Sequence, residues 1–247
     1  MPTFLKPCCS SNFGGSHALD SEEYIKKGDN LLKWKIPKVP TTKIYKRKPF
    51  TFFSDPSIKT KEETMSCENG SQAFWLISEN PFMVGLNDKR FYTMLNVGMI
   101  QIGVKTLTTK IPSNASIILC VLDDRNDNFE ASILGLVESN LSDGPMFFNI
   151  FPNITMSLFH PKLLESLVLI AIVQGFEQLP KGTRPISLMW RTCYKLQGSA
   201  LPDALLESPQ GKTVFFQTDF ENSKVAVQKV SKWDDVVSKV RNITVKH

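Results

Sequence analysis

A carboxylate and a guanidinium follow an apolar segment in the middle of the chain. Six apolar residues run from Ile117 to Leu122, and Asp123 and Arg125 come directly after them. A continuous apolar run of this length that contains Ile and Val is typical of a strand buried on both faces. We therefore expect Asp123 at the mouth of a core strand, where its carboxylate can accept backbone N–H bonds or pair with Arg125 or Arg191 and so fix a loop. Direct contact with a ligand is the alternative, and the structural role is favoured over it.

The patterns that would indicate catalysis or metal binding are incomplete. Gly211-Lys212-Thr213 resembles the end of a phosphate-binding loop, but Leu206 occupies the position of the required first glycine. Residues 124–135 begin like a calcium loop, but Phe129 and Gly135 replace the turn glycine and the bidentate glutamate. The 3 histidines, two of them in or near the ends of the chain, do not suggest a metal site or a triad. We expect a protein that is not an enzyme and that has no cofactor and no metal.

The length and composition fit a single β-rich domain with terminal extensions. The apolar share is 42%, which is ordinary for a globular protein and allows a sizeable core. The 5 cysteines are an odd number and do not lay out a disulfide framework. No apolar stretch follows Met1, and the longest apolar run, Leu167 to Val173, is far shorter than the ~20 residues that span a bilayer. We expect a soluble protein that faces the cytosol.

The positive charge is concentrated near the start of the chain. The net charge is +5, yet residues 1–60 hold 11 Lys and Arg against 5 Asp and Glu, and the remainder is close to neutral. We call residues 33–48 the basic strap, because this stretch has seven basic residues and no acidic one. Its prolines forbid a helix through it, so an extended segment is predicted. The candidate nucleic-acid-binding residues are those of the strap that carry positive charge or an aromatic ring: Lys33, Trp34, Lys35, Lys38, Lys43, Tyr45, Lys46, Arg47 and Lys48.

Three interpretations of the basic strap stay open. Lysine and arginine can neutralise phosphates without reading sequence, and Trp34 and Tyr45 offer ring faces to unstacked bases. The strap can instead be a solvated tail without a partner. A third interpretation is a surface for anionic lipid headgroups.

The centre of the chain has the pattern of a β domain. Apolar and polar residues alternate over 100–105 and again over 186–197, which predicts strands with one buried face. Further strands are predicted at 117–122, 133–138 and 146–151, and a possible one at 212–217, with a turn at Ser142–Pro145. The pattern alone favours a mainly β protein, either a sandwich or a partly open barrel.

Two longer segments break this pattern and predict helices. Pro161–Gln178 has Pro at a helix-start position and reads as a helix inserted in the β domain and buried on most sides. Residues 223–241 have apolar residues at helical spacing among lysines and predict an amphipathic basic helix that packs on the sandwich or lies on a membrane. Before the β domain we expect a disordered arm at Met1–His17, a short helix between Asp20 and Leu32, and a linker at Ser54–Ser71.

Several residues around the central strand carry a resemblance to a known family. Asp123 and Arg125 follow the apolar run, and Glu130 and Leu134-Gly135 come within the next dozen residues. Gly182 lies 59 residues after Asp123. This order resembles the signature of the thirty-kilodalton superfamily of plant-virus movement proteins, in which a distant glycine completes the pattern.

Two further stretches agree with that resemblance, which covers roughly residues 74–196. Phe148–Thr155 is similar to the Val-Pro-Asn segment of the family, and Gly182–Leu188 is similar to its Gly-x-x-Pro-Leu-Ser-Leu strand, with Tyr194 as the aromatic residue at the far end. Gly182 most simply serves a turn with positive φ before the strand at Ile186. The family-signature residues of this chain are then Asp123, Arg125, Gly135 and Gly182.

The resemblance implies a fold, a function and partners. The fold is a jelly-roll-like β-sandwich with one inserted helix and helical or disordered terminal extensions. Its parts would be a basic arm (1–60), the core (61–218) and a basic C-terminal helix or tail (219–247). The function implied is cooperative, sequence-independent binding of single-stranded viral nucleic acid or ribonucleoprotein and its transport through plasmodesmata. The partners implied include host plasmodesmal and membrane components and further copies of the chain, with cytoplasmic and endomembrane pools. The alternative is a capsid-like jelly-roll scaffold protein whose basic arm faces a packaged genome.

Overall fold

Eleven strands form two antiparallel sheets in a computed structural model that describes residues 36, 38–46, 56–67, 70–77, 92–108, 111–207, 214–219 and 224–227, the last two segments by their backbone only. The strands are β1 (Ser57–Met65), β2 (Ser71–Trp75), β3 (Met94–Thr106), β4 (Ser116–Asp123), β5 (Ile133–Asn140), β6 (Met146–Ile150), β7 (Ile154–Ser157), β8 (Leu167–Gln174), β9 (Ile186–Gln197), β10 (Val214–Asp219) and β11 (Lys224–Val227). Two single helical turns accompany them, α1 (Thr41–Ile44) and α2 (Phe129–Ser132).

The strands pair in the order of a jelly roll. The first sheet has the order β1-β9-β3-β6-β10-β11, with β7 also paired to β3, and the second sheet has the order β2-β8-β4-β5. The antiparallel pairs β1–β9, β2–β8, β3–β6 and β4–β5 are nested along the chain. The chain is therefore one long ribbon, closed at the β4–β5 connection and rolled so that successive pairs alternate between the sheets. This is the double-sheet jelly roll, and the predicted jelly-roll-like β-sandwich is confirmed.

The core lies between the two sheets, and a second apolar cluster covers the outside of the second sheet. Odd-numbered residues of β4 pack into the core: Ile117, Leu119 and Val121. Even-numbered residues of β4 pack into the outer cluster: Ile118, Cys120 and Leu122. In the core the ring of Trp190 packs at a tilt against that of Phe74, with centroids 5.7 Å apart. The expected burial of this strand on both faces is confirmed.

The helix predicted at Pro161–Gln178 is wrong. This segment contains one short 3-10 turn, Leu163–Glu165, followed by β8. Strand β8 lies between β2 and β4 and has an apolar cluster on each face. A strand buried on both faces shows no alternation, so its sequence resembles that of a buried helix. The β-branched residues Val168, Ile170, Ile172 and Val173 are the signal that favours a strand here.

The linker predicted at Ser54–Ser71 is also wrong. Nine of its residues form β1, which is the edge strand of the first sheet and pairs with β9 over its whole length. The sequence of β1 is rich in Lys, Glu and Thr because an edge strand faces solvent, where charges oppose pairing with another chain. The same composition is what made the segment resemble a loop.

The remaining strands lie where the sequence places them, and the terminal predictions mostly fall outside the described residues. Strands β3, β5, β6, β9 and β10 overlap the segments predicted to be strands. The first sheet extends past both expected limits of the core, residues 61 and 218, because β1 begins at Ser57 and β11 ends at Val227. Strand β11 occupies the start of the helix predicted at 223–241, so that helix does not begin there. The rest of it, the helix at 20–32 and the arm at 1–17 lie outside the described residues.

The loops gather at two opposite ends of the sandwich. The Asp123 end holds the connections β2–β3, β4–β5 and β7–β8, and the Gly182 end holds β1–β2, β3–β4, β5–β6 and β8–β9. The first sheet also has an outer face, on which α1 lies against β3 and β9. The candidate residues are distributed over these three regions.

Candidate nucleic-acid interface

Asp123 ends β4 and binds the residue two positions further on. Its Oδ1 accepts the backbone N–H of Arg125 at 3.2 Å and the Nε–H of the same residue at 2.7 Å. Its Oδ2 forms an ion pair with Nη2 at 2.5 Å. Only 13% of the Asp123 side chain and 24% of the Arg125 side chain are exposed, so the pair is largely shielded from solvent. The expected pairing and the expected backbone bond are both confirmed.

The same pair connects the two sheets at the Asp123 end. Nη1 of Arg125 donates to the carbonyl of Thr155 on β7, 3.4 Å away, and β7 belongs to the first sheet while β4 belongs to the second. The backbone N–H of Asp124 donates to the carbonyl of Ser166 at 2.8 Å, which attaches the β4–β5 loop to the start of β8. The geometry therefore supports a structural role for Asp123, in which the carboxylate orients the arginine that holds the sheets together.

The two signature glycines lie far from each other. Gly135 pairs with Val121 on β4, directly before a register shift at Leu122. Gly182 lies in the β8–β9 loop at the opposite end of the sandwich with φ of +82°, so the expected positive-φ turn is confirmed. The structure brings Asp123 and Arg125 together but does not bring Gly182 to them. The signature residues therefore do not form one pocket.

The described part of the basic strap lies on the outer face of the first sheet with its lysines outward. Lys38, Lys43 and Lys46 are exposed. Three other residues of this segment are buried and join Met99 and Cys193 in an apolar cluster: Val39, Ile44 and Tyr45. Residues 41–44 form α1, so the expectation of a strap without helix is wrong; Pro40 stands just before the turn, where proline is tolerated. Lys33, Trp34, Lys35, Arg47 and Lys48 lie outside the described residues.

The interpretation of Tyr45 as a base-stacking residue is wrong. Its side chain is 2% exposed, so its ring offers no face to a nucleic acid. Its hydroxyl donates to the carbonyl of Asn96 on β3 at 2.8 Å, and the ammonium of Lys195 lies 5.8 Å from its ring centroid. Burial raises the pKa of the Tyr45 phenol far above its usual range, with a smaller contribution from Cys193, and the residue is an anchor for the strap.

A second segment, residues 199–207, lies beside the strap. Tyr45 and Ala204 form an antiparallel bridge, and the N–H of Leu205 donates to the carbonyl of Ile44 at 2.7 Å. Asn153, at the break between β6 and β7, accepts the N–H of Ala204 at 3.1 Å. Sequence reasoning missed this segment because it contains no motif.

Two residues of the sheet make room for this contact. Asn153 has φ of +47°, a left-handed conformation that asparagine tolerates better than most residues. At Gly98, where the pairing of β3 with β9 shifts register, a Cβ would lie 2.8 Å from side-chain atoms of both Ile44 and Tyr45. Asn153 could have been found from the sequence, because it belongs to the Pro-Asn pair within Phe148–Thr155 that contributes to the family resemblance. Gly98 had none beyond being a glycine in a strand.

Arg191, the other partner considered for Asp123, lies on the outer face of the first sheet. Its Nη1 donates to the carbonyl of Ile36 in the strap and to Oε1 of Gln101 on β3, each at 3.0 Å. Nε2 of Gln101 in turn donates to Oδ1 of Asn149 at 2.9 Å. Desolvation lowers the pKa of Arg191. Arg191 thus holds the start of the described strap rather than the end of β4.

The described residues offer no obvious reactive group. Burial raises the pKa of the Cys67 thiol to about 11, with a smaller contribution from Glu177, and burial raises that of Cys193 to about 12. Cys120 is fully buried, and its pKa is also raised. Within the described ranges, no group of three or more His, Cys, Asp or Glu side chains could hold a metal ion. A helix long and apolar enough to cross a membrane is likewise not found in the part of the chain that the structure describes.

These observations define a class: a jelly-roll protein that presents lysines on a segment packed against the outer face of one sheet. The family model described as "Viral movement protein (MP)" matches residues 34–204, more than half of the chain. The chain belongs to the viral movement protein family, and the resemblance seen in the sequence is confirmed. Proteins of this family are generally not enzymes.

Similar proteins come from plant viruses. The movement protein of Figwort mosaic virus (strain DxS) is 23% identical over 191 residues, which is 72% of this chain and 58% of that protein. The movement protein of Carnation etched ring virus is 29% identical over 86 residues, 35% of this chain and 27% of that protein. This chain therefore spans only part of the length of the relatives that it matches.

Solved structures with some likeness are viral particles. Turnip yellow mosaic virus at 100 K gives a TM-score of 0.40 at 10% identity and covers 63% of this chain and 96% of the matched chain. The structure of Cocksfoot mottle virus gives a TM-score of 0.37 at 18% identity, and the match covers 61% of this chain and 97% of the matched chain. Both scores are too low to establish a fold, and the jelly-roll assignment rests on the strand pairing described above.

Proposed function

We propose that this protein carries a viral genome between plant cells through plasmodesmata and that it binds single-stranded nucleic acid or ribonucleoprotein without sequence specificity. Family membership supports the transport role. The observation that supports nucleic-acid binding is the arrangement of Lys38, Lys43 and Lys46, which are exposed while neighbouring apolar residues of the strap are buried against the sheet. A stretch of 33–48 without any acidic residue adds no repulsion to this contact.

The chemistry of this surface fits phosphate rather than bases. Lysine is a flexible point charge that neutralises a phosphate without reading the base attached to it. With Tyr45 buried, Trp34 is the strap residue still proposed to stack on an unstacked base. Many weak contacts along one strand, combined with association of several copies, would give tight binding without a pocket. We further propose host plasmodesmal and membrane components as partners, and localisation at plasmodesmata with cytoplasmic and endomembrane-associated pools.

The test is the salt dependence of binding by the full chain to fluorescent single-stranded RNA and DNA of two unrelated sequences. The variant Lys38→Gln/Lys43→Gln/Lys46→Gln removes three phosphate contacts at most. Each contact to a single strand contributes about 0.7 to the slope of log K against log salt concentration, so the slope should become less steep by up to about 2. The two sequences should bind alike.

A matched control makes the same charge change elsewhere. Lys61→Gln/Lys162→Gln/Lys181→Gln alters three lysines that are exposed but lie outside the strap, on the edge strand and at the two ends of the sandwich. We expect this variant to bind with nearly the slope of the unaltered protein. Equal losses in both variants would mean that net charge, rather than the strap, governs binding, and would contradict the proposal.

A capsid-like scaffold is the second candidate function. It is favoured by one observation, the nested strand pairing of a complete jelly roll, since jelly rolls build viral capsids. Electron microscopy of the purified chain with and without single-stranded RNA distinguishes the two. Closed particles of uniform size would favour the scaffold, whereas nucleoprotein filaments would favour the movement function.

A further inference from the structure

The basic strap is fixed to the sandwich at a well-defined place around Tyr45, in addition to the bond from Arg191 to the carbonyl of Ile36. We call this place the clasp: Tyr45, Asn96, Gly98, Asn153 and Ala204. The Tyr45 hydroxyl donates to the Asn96 carbonyl at 2.8 Å, and Nδ2 of Asn96 donates to Oγ1 of Thr155 at 3.0 Å and lies 3.5 Å from Oδ1 of Asn153. That same Oδ1 accepts the N–H of Ala204, and Ala204 forms the bridge with Tyr45. The contacts form a closed circuit between the strap, β3, the β6–β7 break and residues 199–207.

The clasp sits where the regular sheet is interrupted. The β3–β9 pairing shifts register between Val97 and Met99, and the residues 151–153 separate β6 from β7 on the other side of β3. Gly98 in this interruption leaves the space that the Tyr45 ring fills. An irregular stretch of two neighbouring strands thus forms the seat of one buried aromatic side chain. This arrangement is more specific than the random adherence of a basic tail to a surface.

A charge contact next to the clasp holds the second segment. Lys195 on β9 is 5% exposed, pairs with Asp203 and lies over the Tyr45 ring. Because Lys195 is almost fully buried and paired, it is not available to a phosphate. Of the cations close to Tyr45, the exposed Lys43 and Lys46 remain on the surface, and Lys38 lies further along the strap.

We propose that the clasp is the positioning element of the nucleic-acid interface, holding Lys38, Lys43 and Lys46 as a preformed row of cations. The inference rests on the proposed function and deepens it. A preformed row of lysines binds a single-stranded nucleic acid without the entropy cost of ordering the strap that carries the lysines. A released strap keeps every charge but must be ordered on binding. Tyr45 and Gly98 are therefore positioning residues, although neither touches the nucleic acid.

The test uses Gly98→Ala in the full chain, since the added Cβ would meet Ile44 and Tyr45 at 2.8 Å and displace the ring. Tyr45→Phe is the conservative variant, which keeps the ring and loses only the hydroxyl bond. Gly182→Ala is the control, the same chemical change in open space at an end of the sandwich away from the clasp. The measurements are affinity for a single-stranded RNA at several salt concentrations, tryptic cleavage at Lys38, Lys43 and Lys46, and thermal unfolding of the sandwich.

We expect loss of the clasp to lower the affinity for RNA without changing the salt dependence of binding, which reports the number of charge contacts. Gly98→Ala should open the strap to trypsin and weaken binding about tenfold or more, because the cost of ordering returns, while the salt slope stays near that of the unaltered protein. The affinity of Tyr45→Phe for the RNA should lie between those of Gly98→Ala and the unaltered protein. Gly182→Ala should bind the RNA as tightly as the unaltered protein does. A Gly98→Ala protein whose strap is cleaved but which binds as tightly as the unaltered protein would overturn the clasp and leave the proposed function standing. An unaltered protein that does not bind, or that binds equally after loss of the three lysines, would overturn both.

Discussion

At the scale of single residues, Asp123 illustrates how a signature residue can have a structural role. Its two oxygens accept three hydrogen bonds from one residue, Arg125, and Arg125 then reaches the backbone of the other sheet. Charge-assisted bonds of this kind are stronger than neutral ones. The carboxylate therefore stabilises a cross-connection between sheets at the place where the apolar strand meets solvent.

Replacing Asp123 should destabilise the sandwich rather than alter its surface. We expect Asp123→Ala to lower the free energy of unfolding by about 1–3 kcal/mol, because a shielded guanidinium loses its partner. Asp124→Ala is the matched control, since its side chain is exposed and only its backbone N–H binds Ser166. Urea unfolding followed by Trp fluorescence measures both. An Asp123→Ala protein that kept its unfolding midpoint yet lost nucleic-acid binding or transport would contradict the structural role and favour direct ligand contact.

Residue type and burial are separate pieces of information, as Tyr45 shows. The sequence places an aromatic ring among lysines, which is also the composition of a base-stacking surface. Its burial depends on Gly98 and Asn153, which are 53 and 108 positions away in the chain. No local pattern contains that contact, so the sequence could indicate a basic strap but not its seat on the sheet.

At the scale of elements, the β8–β9 loop shows two different uses of glycine. Gly175 has φ of +88°, and a Cβ there would lie 2.7 Å from the Cα of Ala115 in the β3–β4 connection. Gly182 has a similar φ, but a Cβ would meet nothing within 4 Å. The first glycine is required by both conformation and space, and the second by conformation only.

Substitution of the two glycines should therefore lower the free energy of unfolding by different amounts. Gly182→Ala should cost about 1–2 kcal/mol, the strain of an L-residue in the left-handed region. Gly175→Ala should cost clearly more, because the clash is with backbone that cannot rotate away. Unfolding midpoints of the two variants, compared with that of the unaltered protein, check this order. Equal midpoints would mean that the loop relaxes around Gly175.

Strands were predictable where apolar and polar residues alternate along them or where turn residues mark their ends. Strands β3, β5 and β9 carry clear patterns and were placed correctly. The two largest errors fell on a central strand, β8, and on an edge strand, β1. Strand β8 has apolar partners on both faces and therefore no alternation, and β1 carries charges because its outer edge faces solvent. Both depend on position within the sheet, which the local sequence does not record.

At the scale of the whole molecule, the jelly roll brings distant segments into register while it separates the signature residues. The pairs β1–β9, β2–β8 and β3–β6 are nested, so most contacts of the fold join residues that are far apart in the sequence. The order of the signature residues along the chain predicted the jelly roll through the family resemblance. The strand pairing that defines a jelly roll could not be predicted from the spacing of the strands in the sequence. The basic strap lies on the outer face of the first sheet, with its described lysines exposed and with Tyr45 seated at an interruption of that sheet.

The most direct test of this account is movement of a fluorescent fusion of the chain out of single leaf epidermal cells. The unaltered protein should form puncta in the cell wall and spread to neighbouring cells. The control Lys61→Gln/Lys162→Gln/Lys181→Gln should do the same, whereas Lys38→Gln/Lys43→Gln/Lys46→Gln should lose the transport of a co-expressed viral RNA. An unaltered protein that stays diffuse in single cells would contradict the transport function. Transport of the RNA by the strap variant at the normal rate would contradict the role given to the strap.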